Sequence, residues 1–224
     1  VRHLKGQSLL QLHKQNLFHQ RSDLHLLRKI WHVSVGLLVI AIYYNTRYSS
    51  KDWAQLNLFI ALTTFAGEWL RLRVPKINYL VTSVMGPFMR ESERNDYSGF
   101  PYYALGCSLS LFFYEEKIAL LSILFLIFAD PVCSFFGVLY GKNKLIGQKS
   151  FQGAIAGFVV CTVVALVYGL IFRGYSSNLL IFSVLAGFIG ATAELCSVWV
   201  DDNLTIPVVS GFGMTILNVL YHVF

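Results

Sequence analysis

Apolar residues run along this chain for longer than one face of a soluble helix would need, and short polar breaks divide them. Seven such stretches fall at 30–48, 53–72, 99–114, 117–140, 153–172, 178–200 and 206–224. A helix crosses the hydrocarbon with about 20 residues. The pattern therefore predicts an all-α, polytopic membrane bundle of about seven transmembrane helices, with 99–114 the short one. Segment 77–89 is apolar but brief, contains Gly86 and Pro87, and runs into the charged stretch 90–96. It is expected to lie at the interface or to re-enter the membrane without crossing. Residues 1–27 differ again: Leu9, Leu10, Leu12, Leu17, Leu24, Leu26 and Leu27 are scattered among polar side chains, as in an amphipathic helix lying along a membrane surface. A polar arm ahead of the first apolar run is not a signal-peptide pattern. Residues 28–224 then form a single transmembrane domain.

Composition agrees. Hydrophobic residues make up 55% of the 224 and charged residues 13%, against about 25% charged in soluble domains. Mean hydropathy is +0.57. An ordinary soluble domain, a disordered chain and a fibrous protein are excluded. The formal charge is +6, from 18 Lys+Arg against 12 Asp+Glu. Short basic loops that set topology account for it, and no nucleic-acid partner is expected. With Arg28 and Lys29 in the cytoplasm, Arg71, Arg73 and Lys76 return there after two crossings. If 77–89 does not cross, Lys142, Lys144 and Lys149 follow, then Asp201 and Asp202; the outer loops hold Arg47 and Lys51, then Glu115, Glu116 and Lys117, then Arg173. The expected location is the inner (plasma) membrane, multi-pass. Cys107, Cys133, Cys161 and Cys196 lie in apolar stretches without CxxC spacing, so they are expected to be small buried residues rather than disulfide or zinc partners. His3, His13, His19 and His25 show no i,i+4 pairing, and no metal site is expected there.

Ionisable residues inside a membrane are costly and mark function. Nearly all of them fall at the expected cytoplasmic ends of spans: Arg28, Lys29 and His32; Glu68; Asn95, Asp96 and Tyr97; Asp130; Lys149 and Ser150; Glu194; and Asp201, Asp202 and Asn203. Arg28 and His32 are four apart and share a helical face, as do Asp130 and Ser134. Pro131 should open a backbone gap beside a polar cavity. Asp130 suits magnesium, which takes one or two carboxylates plus phosphates. The loop 141–153 carries Lys142, Lys144, Lys149, three glycines and Ser150 at a helix start, a phosphate-binding arrangement without the Walker pattern. Glu194 and Asp201 are seven apart and would share a face if one helix reached that far. Acids at its C-terminus would oppose the helix dipole, which a cation or nearby Lys and Arg would relieve.

These pieces resemble the family of CTP-dependent lipid-alcohol kinases, which includes dolichol, phytol, farnesol and CTP-dependent diacylglycerol kinases and is distantly related to phosphatidate cytidylyltransferases. The resemblance covers roughly residues 27–207. It rests on Arg28-Lys29-Ile30-Trp31-His32 with Gly36, on Glu68 with Arg71, and on Asp130-Pro131-Val132-Cys133-Ser134 with Gly137 and Tyr140-Gly141-Lys142. It rests also on Lys149-Ser150-Phe151-Gln152-Gly153, and on Glu194 with Asp201-Asp202-Asn203-Leu204-Thr205-Ile206-Pro207. Gln152 stands where the family usually has Glu, and Pro131 and Cys133 replace its smaller or commoner residues. The length is similar to that of the small prokaryotic members.

The resemblance implies that residues 28–224 are a catalytic domain that turns CTP and a membrane lipid alcohol into CDP and a lipid phosphate at the cytoplasmic face of the bilayer. The acceptor classes in the family are polyprenol or dolichol, phytol-like alcohols and diacylglycerol. By the same resemblance Asp130 and Asp202 hold magnesium, with Asp201 or Glu194 assisting. Lys149 and Arg28 contact CTP phosphates, within a nucleotide site that also draws on Lys29, Lys142, Ser150, Gly153 and Asn203. His32 or one carboxylate orients or deprotonates the acceptor hydroxyl. Oligomeric state is left open. Two other functions remain: a CDP-lipid-forming cytidylyltransferase, opposed by the lack of that group's longer C-terminal motif, and a small transporter or scaffold. A transporter would place polar groups near the midplane, whereas here they gather on one side.

Overall fold

The computed structural model describes residues 25–224, so the expected surface helix within residues 1–27 lies almost wholly outside the described residues. The described helices are α1 (Leu26–Asn45), α2 (Ser50–Arg73), α3 (Pro75–Met85), α4 (Gly99–Phe113), α5 (Glu116–Tyr140), α6 (Phe151–Phe172), α7 (Ser177–Cys196) and α8 (Asp202–Tyr221). Two single 3₁₀ turns, Gly86–Phe88 and Ser92–Arg94, lie between α3 and α4. A small antiparallel hairpin joins α5 to α6, pairing β1 (Lys144–Ile146) with β2 (Lys149–Ser150). Gly147 turns it with φ of 55°, a left-handed conformation that suits a residue without Cβ.

The chain is an all-α, multi-pass membrane bundle. Each of the seven expected spans is a helix, and α1, α5, α6, α7 and α8 are long and apolar enough to cross a membrane. Of the other two, α2 carries Lys51, Asp52, Glu68, Arg71 and Arg73, and α4 has 15 residues; they pack on each other. Helix α5 is the centre of the bundle. Its stretch from Ile118 to Ala129 is apolar except for Ser122, whose hydroxyl donates back to the Ala119 carbonyl, so it has no polar face to turn to water, and α1, α4, α6, α7 and α8 surround it. The outer helices expose Phe59, Leu62, Ile171, Phe188 and Leu220, the apolar surface that a bilayer covers.

Short connections make consecutive long helices antiparallel, which sorts the loops into two ends. At one end the Tyr43 hydroxyl donates to Glu116 Oε1 at 2.8 Å, and Asn178 Nδ2 donates to the Tyr221 carbonyl at 3.0 Å. The opposite end gathers the start of α1, the end of α2, the 86–98 segment, the hairpin and the α7–α8 turn. Helix α3 has 11 residues, about 16 Å at 1.5 Å per residue, half of what a crossing needs.

Two expectations are corrected. Helix α7 stops at Cys196, not at 200, because the Ser197 N–H and hydroxyl both donate to the Glu194 carbonyl, at 3.3 and 2.7 Å. Such local bonds compete with helix continuation. Asp201 and Asp202 therefore open a helix instead of closing one: Asp201 caps α8, its Oδ1 accepting from the Asn203 N–H at 3.0 Å. The acids stand at the favourable end of the dipole. The second correction concerns cysteine: Cys107, Cys133 and Cys161 are buried, but Cys196 is exposed where α7 ends.

One buried cation organises the segment leading into α4. Arg71 is 2% exposed. Its guanidinium donates to both Glu68 oxygens (3.3 and 2.6 Å), to Asn78 Oδ1 (2.6 Å), and to the carbonyls of Glu93 (3.0 Å), Arg94 (3.3 Å) and Asp96 (2.7 Å). Glu68 Oε2 also accepts from the Ser98 N–H at 2.9 Å. The ends of α2 and α3 and the 93–98 turn are thus tied to one side chain. Arg71→Met should cost about 3–5 kcal/mol, the usual result of removing one partner of a buried ion pair. Denaturant unfolding in detergent measures it, and a loss below about 1 kcal/mol would show that the turn holds without the guanidinium.

Candidate active site

Helix α8 begins with a buried carboxylate, Asp202, and two cations reach it from different elements. Arg90, in the turn after α3, donates from Nη2 to both Asp202 oxygens at 3.1 and 3.0 Å, and its Nη1 lies 3.6 Å from Asp201 Oδ2. Lys149, on β2, donates to Glu194 Oε1 at 2.6 Å, with Nζ 3.7 Å from Asp202 Oδ2. Asp130 from α5 completes the group. Its carboxyl lies beside that of Asp202, near enough for a hydrogen bond when either is protonated, and within electrostatic reach of Arg90, Arg28 and Lys149. Two adjacent carboxylates repel unless a cation or proton lies with them.

The charges are self-consistent. Burial works against the Arg90 and Lys149 cations. Asp202, Asp130 and Asp201 outweigh it for Arg90, and Glu194 and Asp202 do so for Lys149, so both pKa values rise. Asp201 is also pushed up, by burial first and by the Asp202 charge second.

Two cavities open beside this group. The polar one, about 300 Å³, is lined by Arg28, Lys29, His32, Arg90, Asp130 and Ser134, among others. The second, about 380 Å³, is mainly apolar and lies between the start of α1, α3 with its 3₁₀ turn, and the start of α4. Arg28 and His32 line both. His32 Nε2 is 3.2 Å from the Leu126 carbonyl. A carbonyl can only accept, so Nε2 carries the proton and Nδ1 of the neutral ring is an acceptor. Gly36 makes this contact possible: a Cβ there would come within 2.6 Å of Ile127, so α1 presses directly onto α5.

The structure brings Arg28, Lys29, His32, Asp130, Lys149, Glu194, Asp201 and Asp202 to one end of the bundle, around linked ion pairs and a shared pair of cavities. Asp130 and Ser134 line the same cavity, as their spacing predicts. Other expected nucleotide contacts land elsewhere. Ser150 is buried as the cap of α6: its Oγ accepts from the Gly153 N–H at 3.1 Å and sits against Gly137 and Gly141. A Cβ on Gly153 would lie 2.8 Å from the Cys133 carbonyl, so that glycine serves helix packing. Lys142 is exposed and lines neither cavity. Asn203 lines the apolar cavity, not the polar one.

The expected four-acid metal set is divided. Among the described residues no group of three or more His, Cys, Asp or Glu side chains could hold a metal ion. Glu194 is taken by Lys149, and Asp201 Oδ1 accepts from Asn203 N and Nδ2. Asp130 and Asp202 remain side by side, but both Asp202 oxygens accept from Arg90 Nη2, so magnesium shared with substrate phosphates would have to take the place of Arg90 on Asp202.

Sequence reasoning missed Arg90 and Glu93. Glu93 Oε2 accepts from the Arg90 N–H at 2.8 Å and Oε1 from the Gly99 N–H at 3.1 Å, with Arg28 3.7 Å away. Both sit in a dense charged run with no periodicity to aim them. The available signal was only that so many charges lie between two apolar segments on the basic side.

The chain is 34% identical over 194 residues to the CTP-dependent diacylglycerol kinase 1 of Schizosaccharomyces pombe, covering 82% of this chain and 88% of that protein. It is 29% identical over 187 residues to an uncharacterised protein of Rickettsia prowazekii, covering 80% of this chain and 88% of that one. No family model matches the chain, and no solved structure matches it.

The contact between Lys149 and Glu194 is testable by itself. A cycle of Lys149→Met, Glu194→Gln and the double variant should show a coupling of about 1–3 kcal/mol in unfolding free energy, as for close pairs in one network. Additive losses would mean that the pair is not formed in the protein.

Proposed function

The chain belongs to the family of CTP-dependent lipid kinases, and from that premise we propose that it transfers the γ-phosphoryl group of CTP to the hydroxyl of diacylglycerol, releasing CDP and phosphatidate. The observation that carries this reading is the meeting of a cationic cavity with an apolar one at His32 and Arg28, beside the Asp130 and Asp202 carboxylates. A phosphate-rich donor and a water-insoluble acceptor need such a junction.

Phosphoryl transfer asks the protein mainly for positioning and charge neutralisation. Arg28, Lys29 and Arg90 draw the triphosphate into the polar cavity. Lys149, held by Glu194 beside Asp202, supplies a point charge to oxygens that become more negative in the transition state. Asp130 and Asp202 are the residues that would hold magnesium, which neutralises phosphate oxygens when bound. The acceptor oxygen attacks the γ-phosphorus, the bond from that phosphorus to the β-phosphate oxygen breaks, and the hydroxyl proton passes to His32 Nδ1. The polar end of the bundle faces the cytoplasm, where CTP is found, as the inward bias of Lys and Arg supports.

Purified protein given CTP, magnesium and dioleoylglycerol in mixed micelles should release CDP. A matrix of four nucleotides against diacylglycerol, phytol and a polyprenol tests donor and acceptor together. ATP preference or pyrophosphate release would overturn the reading. Asp130→Asn should fall below about a tenth of wild-type turnover, since it keeps the shape but loses the charge that a metal needs. Arg173→Met, at the far end of the bundle, should leave turnover unchanged.

A further inference from the structure

The apolar cavity is the least explained feature of this end of the bundle. Trp31 and Val35 of α1, Val81 and Met85 of α3, Phe88 of the 3₁₀ turn and Phe100 of α4 wall it. Trp31, Met85 and Phe100 are exposed, so its mouth lies on the apolar flank of the bundle. Trp31 and Phe88 pack with ring centroids 5.0 Å apart. Polar groups line only part of it: Arg28, His32, Glu68, Glu93, Ser98, Tyr103 and Asn203.

One of these groups lacks a partner. Asn203 is 3% exposed. Its Nδ2 donates to Asp201 Oδ1 at 2.7 Å, and since a carboxylate oxygen accepts, the amide orientation is settled. The other atom, Oδ1, is buried and accepts no hydrogen bond. An orphaned buried acceptor is costly; Oδ1 lies behind the cavity surface, and a ligand donor reaches it once the Asn203 amide shifts towards the cavity that its residue lines.

We propose that this cavity seats the acceptor lipid, with its hydroxyl donating to Asn203 Oδ1 after a local shift of that amide and its acyl chains leaving past Trp31, Met85 and Phe100 into the bilayer. The proposal rests on the kinase reading above and adds where the acceptor binds and what recognises it. A neutral lipid alcohol fits both parts: apolar walls for its chains and one orphan acceptor for its one O–H, while Glu68 and Glu93 are already paired with Arg71 and Arg28. Diacylglycerol has a single hydroxyl donor, and its ester oxygens can take hydrogen bonds from Arg28. An amide oxygen cannot carry a proton away, so Asn203 recognises the hydroxyl before transfer. The junction with the polar cavity at His32 is where that hydroxyl turns towards the phosphoryl group.

Two measurements test this. In the first, Val81→Trp fills the cavity and Asn203→Leu removes the acceptor. Both should raise KM for dioctanoylglycerol by about tenfold or more while KM for CTP stays within about twofold. Unchanged acceptor KM in both variants would overturn the proposal. The second is independent of turnover: a diacylglycerol with a diazirine on one acyl chain is photolysed with the wild-type protein. Labelling should fall on residues 79–103 and 31–35 and be competed by unlabelled dioleoylglycerol but not by phosphatidylcholine. Labelling confined to the outer faces of α6 and α7 would overturn the cavity assignment even if the protein is a diacylglycerol kinase. Labelling in the cavity without diacylglycerol turnover would instead remove diacylglycerol as the reacting substrate and leave the cavity as a lipid site.

Discussion

A guanidinium has five N–H groups and no way to shed its charge, so once buried it dictates what surrounds it. Arg71 sits in that position. Burial takes it out of bulk solvent, and the chain answers with a carboxylate from its own helix, an amide from α3 and three carbonyls from residues 93–96. Those carbonyls can reach it only if the segment between α3 and α4 folds back over the end of α2. That return places Arg90 against Asp202 and Glu93 against the start of α4. A charge that never touches the cavities thus determines the wall of both.

The same end of the bundle solves a solubility problem. A nucleotide requires cations and a lipid requires hydrocarbon, and neither tolerates the other's site. Here the two environments are adjacent but not merged, and the side chains they share, Arg28 and His32, come from the first turns of α1. Residue size does the rest: without a Cβ at Gly36, α1 comes close enough to α5 for His32 to find the Leu126 carbonyl.

Much of this was legible in the sequence. Long apolar runs gave the helices, because a helix whose faces are all buried or turned to the bilayer has no polar stripe to misread. Asp130, Lys149 and Asp202 stood out because a charge beside an apolar run has few reasons to be there. What could not be read depended on geometry beyond one helix. The break at Ser197 is set by hydroxyl bonding that competes with the helix, and it reverses the dipole argument for Asp201 and Asp202. Arg90 is one charge among several in a run without period, and only the folded return singles it out. Ser150 and Gly153 looked like a phosphate cradle, but the same residue types make a helix cap and a close packing contact.

The joint between the hairpin and α6 separates two mechanical regimes. Lys149 directly precedes Ser150, whose hydroxyl is wedged against Gly137 and Gly141 and bonded to Gly153. Just beyond it, residues 145–148 are exposed. The anchored side carries the lysine; the tip carries none of the ion pairs of the site. Exposed tips of this kind are where inserted domains are best tolerated. The hairpin is therefore a natural graft point for a rigid soluble module, giving a small, featureless membrane bundle the external mass that particle alignment in electron cryomicroscopy requires.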